Sequence, residues 1–156
     1  MMIIENIKVK KQHNMKQIKQ RGPMMLMDKV FNIPLFSANN QEVQESEASN
    51  VPNIKLYPFR YSSLIMYDPD AIVPPYLHYL VINIKNGIIS SGDVIVPYAG
   101  PTPPPGSGTH RYIFEQLEQS SPFNIAPPER AKFDISNFKK MNNLALKATK
   151  MFSVSV

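Results

Sequence analysis

Carboxylates, histidines and tyrosines cluster in the middle of this sequence at spacings that suit a small polar pocket. Asp68 and Asp70 stand two residues apart around a proline in the run YDPDA. Two of the three histidines, His78 and His110, follow in the runs YLHYLVINI and THRY. Ahead of His110 the stretch GPTPPPGSG places four prolines and three glycines between residues 100 and 108. Proline fixes φ and lacks a donor, while glycine admits unusual backbone angles, so this stretch is a shaped loop rather than a helix or a central strand. Side chains alternate across a strand, which puts Tyr76, His78 and Leu80 on one face, and His110 with Tyr112 on one face, opposite Arg111.

That set supports three chemistries. Imidazoles, the Tyr112 hydroxyl and loop amides can be fixed in advance as donors to a phosphate or carboxylate. Histidine and aspartate can serve a hydrolase as acid and base. Two histidines and an aspartate can hold a metal, although no tight ligand spacing supports it. A purely structural arrangement, in which buried histidines and acids satisfy one another, produces the same spacing.

The elements that must position these residues are short and β-prone. Val30 to Phe36 suits an edge strand interrupted by Pro34, Asn39-Asn40 a turn, and Glu42 to Glu47 a weakly alternating run. Tyr61 to Tyr67 and Leu77 to Ile84 suit buried strands, joined by the turn Asp68-Pro69-Asp70-Ala71. Lys85-Asn86-Gly87 is a hairpin signal, and Tyr112 to Leu117 and Ala145 to Val156 are further strands. One helix is expected from an Asp134 cap, with Ile135, Phe138, Met141 and Leu144 as its apolar stripe. The Met24–Met27 cluster reads as core filling. The expected fold is a mainly β, two-sheet antiparallel sandwich with few helices.

With 156 residues, 43% of them hydrophobic, the chain suits a single domain, placed at residues 23–156 behind a basic segment, 1–22. No cysteine is present, so a disulfide framework, a thiolate metal site and a cysteine nucleophile are excluded. No apolar run is long enough to span a bilayer, and a soluble cytoplasmic protein is expected. The net charge of +5 sits in the basic segment, which holds six of the 17 basic residues and one of the 12 acidic ones. The remainder balances, so no specific nucleic-acid partner is indicated. Ile3, Ile7, Met15 and Ile18 recur at roughly helical spacing there, so residues 1–22 are either a frayed terminal helix or a basic amphipathic one resting on an anionic membrane or partner.

The runs YSSLIMYDPDA, LHYLVINI and GTHRY together resemble the signature blocks of the phosphatidylethanolamine-binding protein family, which includes the Raf kinase inhibitor protein. The motifs DPDA and PPxGxGxHRY occur in the family's order with a histidine-bearing strand between them, and the resemblance runs from about Val51 to Met151. It implies a small cavity for phosphate-type anions. By match to the motifs, Asp68 and Asp70 would stand at its acidic turn, with Tyr76 and His78 on its wall, Pro104 at its mouth and His110 with Tyr112 beside it. Arg111 would point away and pair with a carboxylate of the DPDA turn.

Three departures stand out. Ile72 replaces the family's proline after DPDA, Thr102 replaces a glycine before the paired prolines, and only seven residues separate Asp70 from His78. The sequence stops at Val156, so the C-terminal helix that partly covers the pocket in animal members is expected to be missing, which leaves the pocket open. The resemblance implies a non-enzymatic binding or regulatory protein without a cofactor. Its ligand would be a phospholipid headgroup, a nucleotide phosphate or a phosphorylated residue, and its protein partner a kinase or protease. The alternative is a hydrolase in which His78 and His110 act as acid and base on a phosphoryl or acyl substrate. For the binding protein, phosphate affinity should fall as pH rises through the histidine range.

Overall fold

The apolar runs of the sequence become neighbouring strands. In the computed structural model, which describes residues 3–4 and 41–156, the strands are β1 (Ile3–Ile4), β2 (Gln41–Glu42), β3 (Ile54–Lys55), β4 (Ser62–Asp68), β5 (Tyr76–Ile84), β6 (Asp93–Val96), β7 (Thr109–Gln119) and β8 (Leu144–Ser155), with helix α1 (Ile135–Met141) before the last. Six form one sheet in the order β2-β8-β7-β4-β5-β6, and β1 pairs with β3 in a two-stranded second sheet. The fold is thus mainly β and antiparallel, with one parallel pair among the described residues, β2 with β8, at the edge. Among the described residues no helix is long and apolar enough to cross a membrane.

Strands β4 and β5 read as almost unbroken apolar runs because both faces of the large sheet are covered. On one face Leu64, Met66, Val81, Tyr112, Phe114 and Phe152 pack with Ile54 of β3. On the other, Ile65, Leu77, Leu80, Ile82 and Leu117 pack against Phe133 and Phe138, which come from the segment before β8. A buried polar cluster fastens that segment to the sheet. Gln119 donates to Asn83 Oδ1 at 2.9 Å, Asn83 Nδ2 donates to the Phe123 carbonyl at 2.8 Å, and the Phe123 amide donates back to Asn83 Oδ1 at 3.0 Å.

Local signals set several boundaries. The Lys85-Asn86-Gly87 turn has left-handed φ of 53° at Asn86 and 74° at Gly87, as a tight hairpin requires. A β-carbon on Gly87 would also lie 2.8 Å from the Tyr57 carbonyl oxygen, so close approach excludes a side chain there. Asp134 caps α1 by accepting the Asn137 amide at 2.9 Å. The helix stops at Met141, shorter than its apolar stripe implied, because Asn143 turns left-handed (φ 55°) and Leu144 opens β8. Met141 is consequently exposed. The weak strand expected over Glu42–Glu47 is confined to Gln41–Glu42, and a 3-10 turn follows at Glu45–Ala48. There Glu47 reaches back to accept the Gln44 amide at 2.8 Å, which closes a turn where a strand would need the backbone extended.

Within the basic segment, Ile3 and Ile4 are extended and pair with Ile54 and Lys55, rather than helical. The rest of residues 1–22, the Met24–Met27 cluster, the Val30–Phe36 strand and the Asn39-Asn40 turn lie outside the described residues.

Candidate functional site

Strand order decides which side chains meet. β4 lies between β5 and β7 and runs antiparallel to both, so its C-terminal end adjoins their N-terminal ends. Asp68 closes β4, Tyr76 and His78 open β5, and His110 opens β7. The Pro/Gly loop and residue 131 complete the enclosure. The resulting cavity of about 330 Å³ is lined by Asp68, Tyr76, His78, Pro104 and His110 of the expected residues, together with Ile72, Thr102 and Pro103.

His78 is aimed by an irregularity. Met66 pairs with Tyr79 and Tyr67 with Leu77, which leaves His78 as an extra residue with no partner on β4. Such a bulge re-aims a side chain and shifts the alternation beyond it. Leu80 therefore joins the opposite apolar cluster instead of sharing the face of Tyr76 and His78, as regular alternation would have required. The imidazole is held by the loop: its Nδ1 donates to the Ala99 carbonyl at 2.7 Å, and the Ala99 amide donates to the His78 carbonyl at 2.8 Å. The ring is wedged between Tyr76, 5.0 Å away, and Tyr112, 5.3 Å away. Burial holds His78 below the ordinary histidine range, and the Arg130 guanidinium and His110 add to that; the Ala99 carbonyl and the Asp68 carboxylate oppose it. The neutral ring with its proton on Nδ1 presents Nε2 as an acceptor to the cavity.

Asp68 is buried, 3% exposed, and both of its oxygens are engaged. Oδ1 accepts the Asp70 amide at 2.7 Å, and Oδ2 lies 2.8 Å from His110 Nδ1. His110 Nε2 in turn lies 3.0 Å from Ser107 Oγ.

Asp70 and Tyr112 stand apart from the lining. Asp70 turns outward to Arg111, accepting from its Nε at 2.9 Å, its Nη2 at 3.0 Å and its backbone amide at 2.8 Å. The guanidinium beside it holds the Asp70 carboxyl below the usual carboxylate range. Tyr112 is fully buried and backs the His78 ring. Because the Arg111 side chain is 51% exposed, Arg111→Ala is expected to destabilise by less than about 1 kcal/mol, and less still at high salt. A drop well beyond that in urea unfolding would show that the pair organises the turn.

Sequence reasoning missed three contributors. Arg130 donates to the carbonyls of Leu77 (3.1 Å), His78 (3.3 Å) and Pro97 (2.9 Å), clamping the bulged start of β5 and bringing a fixed cation near the cavity. The Ala99 carbonyl is a backbone group with no sequence signature. Ser107 had one, since it sits three residues before His110 across a turn closed by its own amide to the Pro104 carbonyl at 3.0 Å. Among the described residues no group of three or more His, Cys, Asp or Glu side chains is placed to hold a metal ion.

The sequence model of a family described as phosphatidylethanolamine-binding protein matches residues 36–152. Among solved structures, the chain is similar to a carboxypeptidase Y inhibitor complexed with its cognate proteinase, with a TM-score of 0.65 and 18% identity over 93% of this chain and 96% of that one. It is also similar to phosphatidylethanolamine-binding proteins from Plasmodium vivax (TM-score 0.61, 23% identity) and Plasmodium falciparum (TM-score 0.56, 21% identity), each over 74% of this chain and 76% of that one. At these identities the likeness is one of fold.

Proposed function

The chain belongs to the phosphatidylethanolamine-binding protein family, and from that premise we propose that it is a binding or regulatory protein whose pocket takes a phosphate-type anion. One observation carries the reading: the cavity holds two histidines whose Nδ1 atoms are already fixed, His78 by a carbonyl and His110 by a carboxylate. The fixed His78 ring presents Nε2 without further ordering, which reduces the entropy lost on binding, while His110 Nε2 rests on the Ser107 hydroxyl. The lining carboxylate, Asp68, is committed to His110 and to the Asp70 amide, and Arg130 adds positive potential nearby. The ligand would be a phosphorylated small molecule, headgroup or side chain, and its occupancy would modulate a protein partner. A structural neighbour solved in complex with the proteinase it inhibits supports a protease as one such partner.

Phosphate titration against pH tests this. Neutral His78 accepts at Nε2, whereas the imidazolium donates to an anion, so binding takes up a proton. Because burial depresses His78, affinity should rise by roughly tenfold as pH falls from about 8 to about 5, with most of the gain below about 6.5. The groups facing the ring in that range are Asp68, His110 and Arg130, of which Arg130 stays charged throughout. Stability of the free protein should move the other way. A histidine depressed in the folded state contributes stability above its unfolded value of about 6.5, and that contribution is lost as pH falls toward the folded value. Phosphate affinity that is flat with pH, or unchanged in His78→Ala, would remove the histidine from the site.

A further inference from the structure

Anion binding makes no use of the Ser107 hydroxyl, which ends a hydrogen-bonded chain that starts from the lining residues Asp68 and His110. Asp68 Oδ2 lies 2.8 Å from His110 Nδ1, and His110 Nε2 lies 3.0 Å from Ser107 Oγ. Asp68 and His110 are each 3% exposed, while Ser107 is open to solvent. A buried carboxylate that orients an imidazole, with the far nitrogen on a serine hydroxyl, is the arrangement that activates serine as a nucleophile. From this geometry we propose that Ser107 is a nucleophile that takes up the acyl group of a small activated carboxylic ester at the pocket mouth. The proposal goes beyond the binding reading: the two share the Asp68–His110 pair, but no step of the acyl transfer uses His78 or a bound phosphate.

The loop suits the role. Gly106 and Gly108, with φ of 79° and 86°, flank Ser107, nothing lies within 4 Å of where their β-carbons would be, and Ser107 itself is exposed. Gly108 also supplies the amide of the residue after the nucleophile, a position that contributes to oxyanion holes in serine hydrolases.

One proton decides what the chain of groups does. Ser107 Oγ can donate to the Pro104 carbonyl at 2.6 Å or to His110 Nε2 at 3.0 Å. When His110 is an imidazolium it donates from both nitrogens, to Asp68 and to Ser107, and the hydroxyl proton goes to Pro104. The serine is then inert, and the ring is a fixed cation beside the pocket. When His110 is neutral with its proton on Nδ1, Nε2 accepts the hydroxyl proton and Ser107 can attack. The titratable groups that feel the charge on this ring are Asp68, in contact with it, and Asp70 and His78 nearby.

In the step itself, Oγ bonds to the ester carbonyl carbon as its proton passes to Nε2. The tetrahedral intermediate then collapses with cleavage of the ester C–O bond, and the leaving alcohol or phenol takes the proton from Nε2. An acyl-serine remains. Water attacks it by the same route, releasing the carboxylic acid and restoring Ser107.

The test uses p-nitrophenyl acetate with the full chain and with Ser107→Ala, following nitrophenol release and mapping acetyl groups by mass spectrometry. Acetylation of Ser107, with release slowed by roughly 100-fold in Ser107→Ala, is expected. Acetyl groups confined to lysines and the N-terminus, or a Ser107→Ala protein that releases nitrophenol at the wild-type rate, would overturn the proposal. Because Ser107 is exposed, Ser107→Ala should unfold at the wild-type urea concentration, which separates lost chemistry from lost fold. Phosphate titration of wild type and His78→Ala, a residue that takes no part in the acyl transfer, reports on the anion pocket separately.

Discussion

Phe152→Ala should destabilise the protein by about 3–5 kcal/mol, the range for removing a fully buried aromatic side chain. Phe152 has no exposed surface and is stacked on Tyr112, with ring centroids 5.4 Å apart and planes 24° apart. It also lies 6.1 Å from Phe114. Neighbours in a sheet are held by backbone pairing, so they cannot close the void, and the cavity term adds to the lost transfer free energy. The loss should reach the pocket, because Tyr112 backs the His78 ring from its other side. Urea unfolding of Phe152→Ala should show a lower midpoint with an unchanged slope, whereas Phe152→Leu should recover more than half of the loss. A change under about 1 kcal/mol for the alanine variant would mean that β8 is not part of the cooperative core.

Asp68→Ala has the second largest expected effect, a loss of about 3 kcal/mol together with loss of the ordered His110 ring. The substitution strands two donors in a buried place, the Asp70 amide and His110 Nδ1, and each unsatisfied group costs about 1–3 kcal/mol. Asp68→Asn separates the two roles. Its carbonyl oxygen can still accept the Asp70 amide, but its amino group faces His110 Nδ1 and forces that nitrogen to accept. The proton of neutral His110 then moves to Nε2, which becomes a donor toward Ser107. Nitrogen-15 histidine spectra would record the change of tautomer, and nitrophenol release should fall with it. Wild-type spectra and stability in Asp68→Asn would show that Asp68 does not set the state of His110.

The sequence carried most of the fold because local signals agreed with the global arrangement. Short, mostly apolar runs bounded by turn signals, such as SSLIMY and YLVINI, suit strands covered on both faces, and the two apolar clusters supply that cover. Asn86-Gly87 and Asp134 acted through nearest neighbours, so their turn and cap were readable directly. Boundaries were less readable. α1 ended before its stripe did because a left-handed Asn143 stopped it, and the stripe alone does not report φ.

The candidate site divides along the same line. Residue types and motif order singled out Asp68, Asp70, Tyr76, His78, Pro104, His110 and Tyr112, and they indicated that the Pro/Gly stretch was a stiff loop and that Arg111 faced away from His110. The loop and the facing of Arg111 rest on backbone chemistry and strand alternation, which act over a few residues, whereas the choice of site residues rests on the resemblance of the motifs to the family's. Only the tertiary structure decided the rest. It put Asp68 on His110 and sent Asp70 outward to Arg111, although the two acids are equivalent as sequence. It left Tyr112 behind the cavity wall, and it made His78 the extra residue of a bulge, which removed Leu80 from that face. It also brought Arg130 onto the carbonyls of β5 across more than fifty residues of chain. The physical reason is shared: strand register, bulges and long-range hydrogen bonds are set by how all the strands pack at once, and no local window of sequence contains that information.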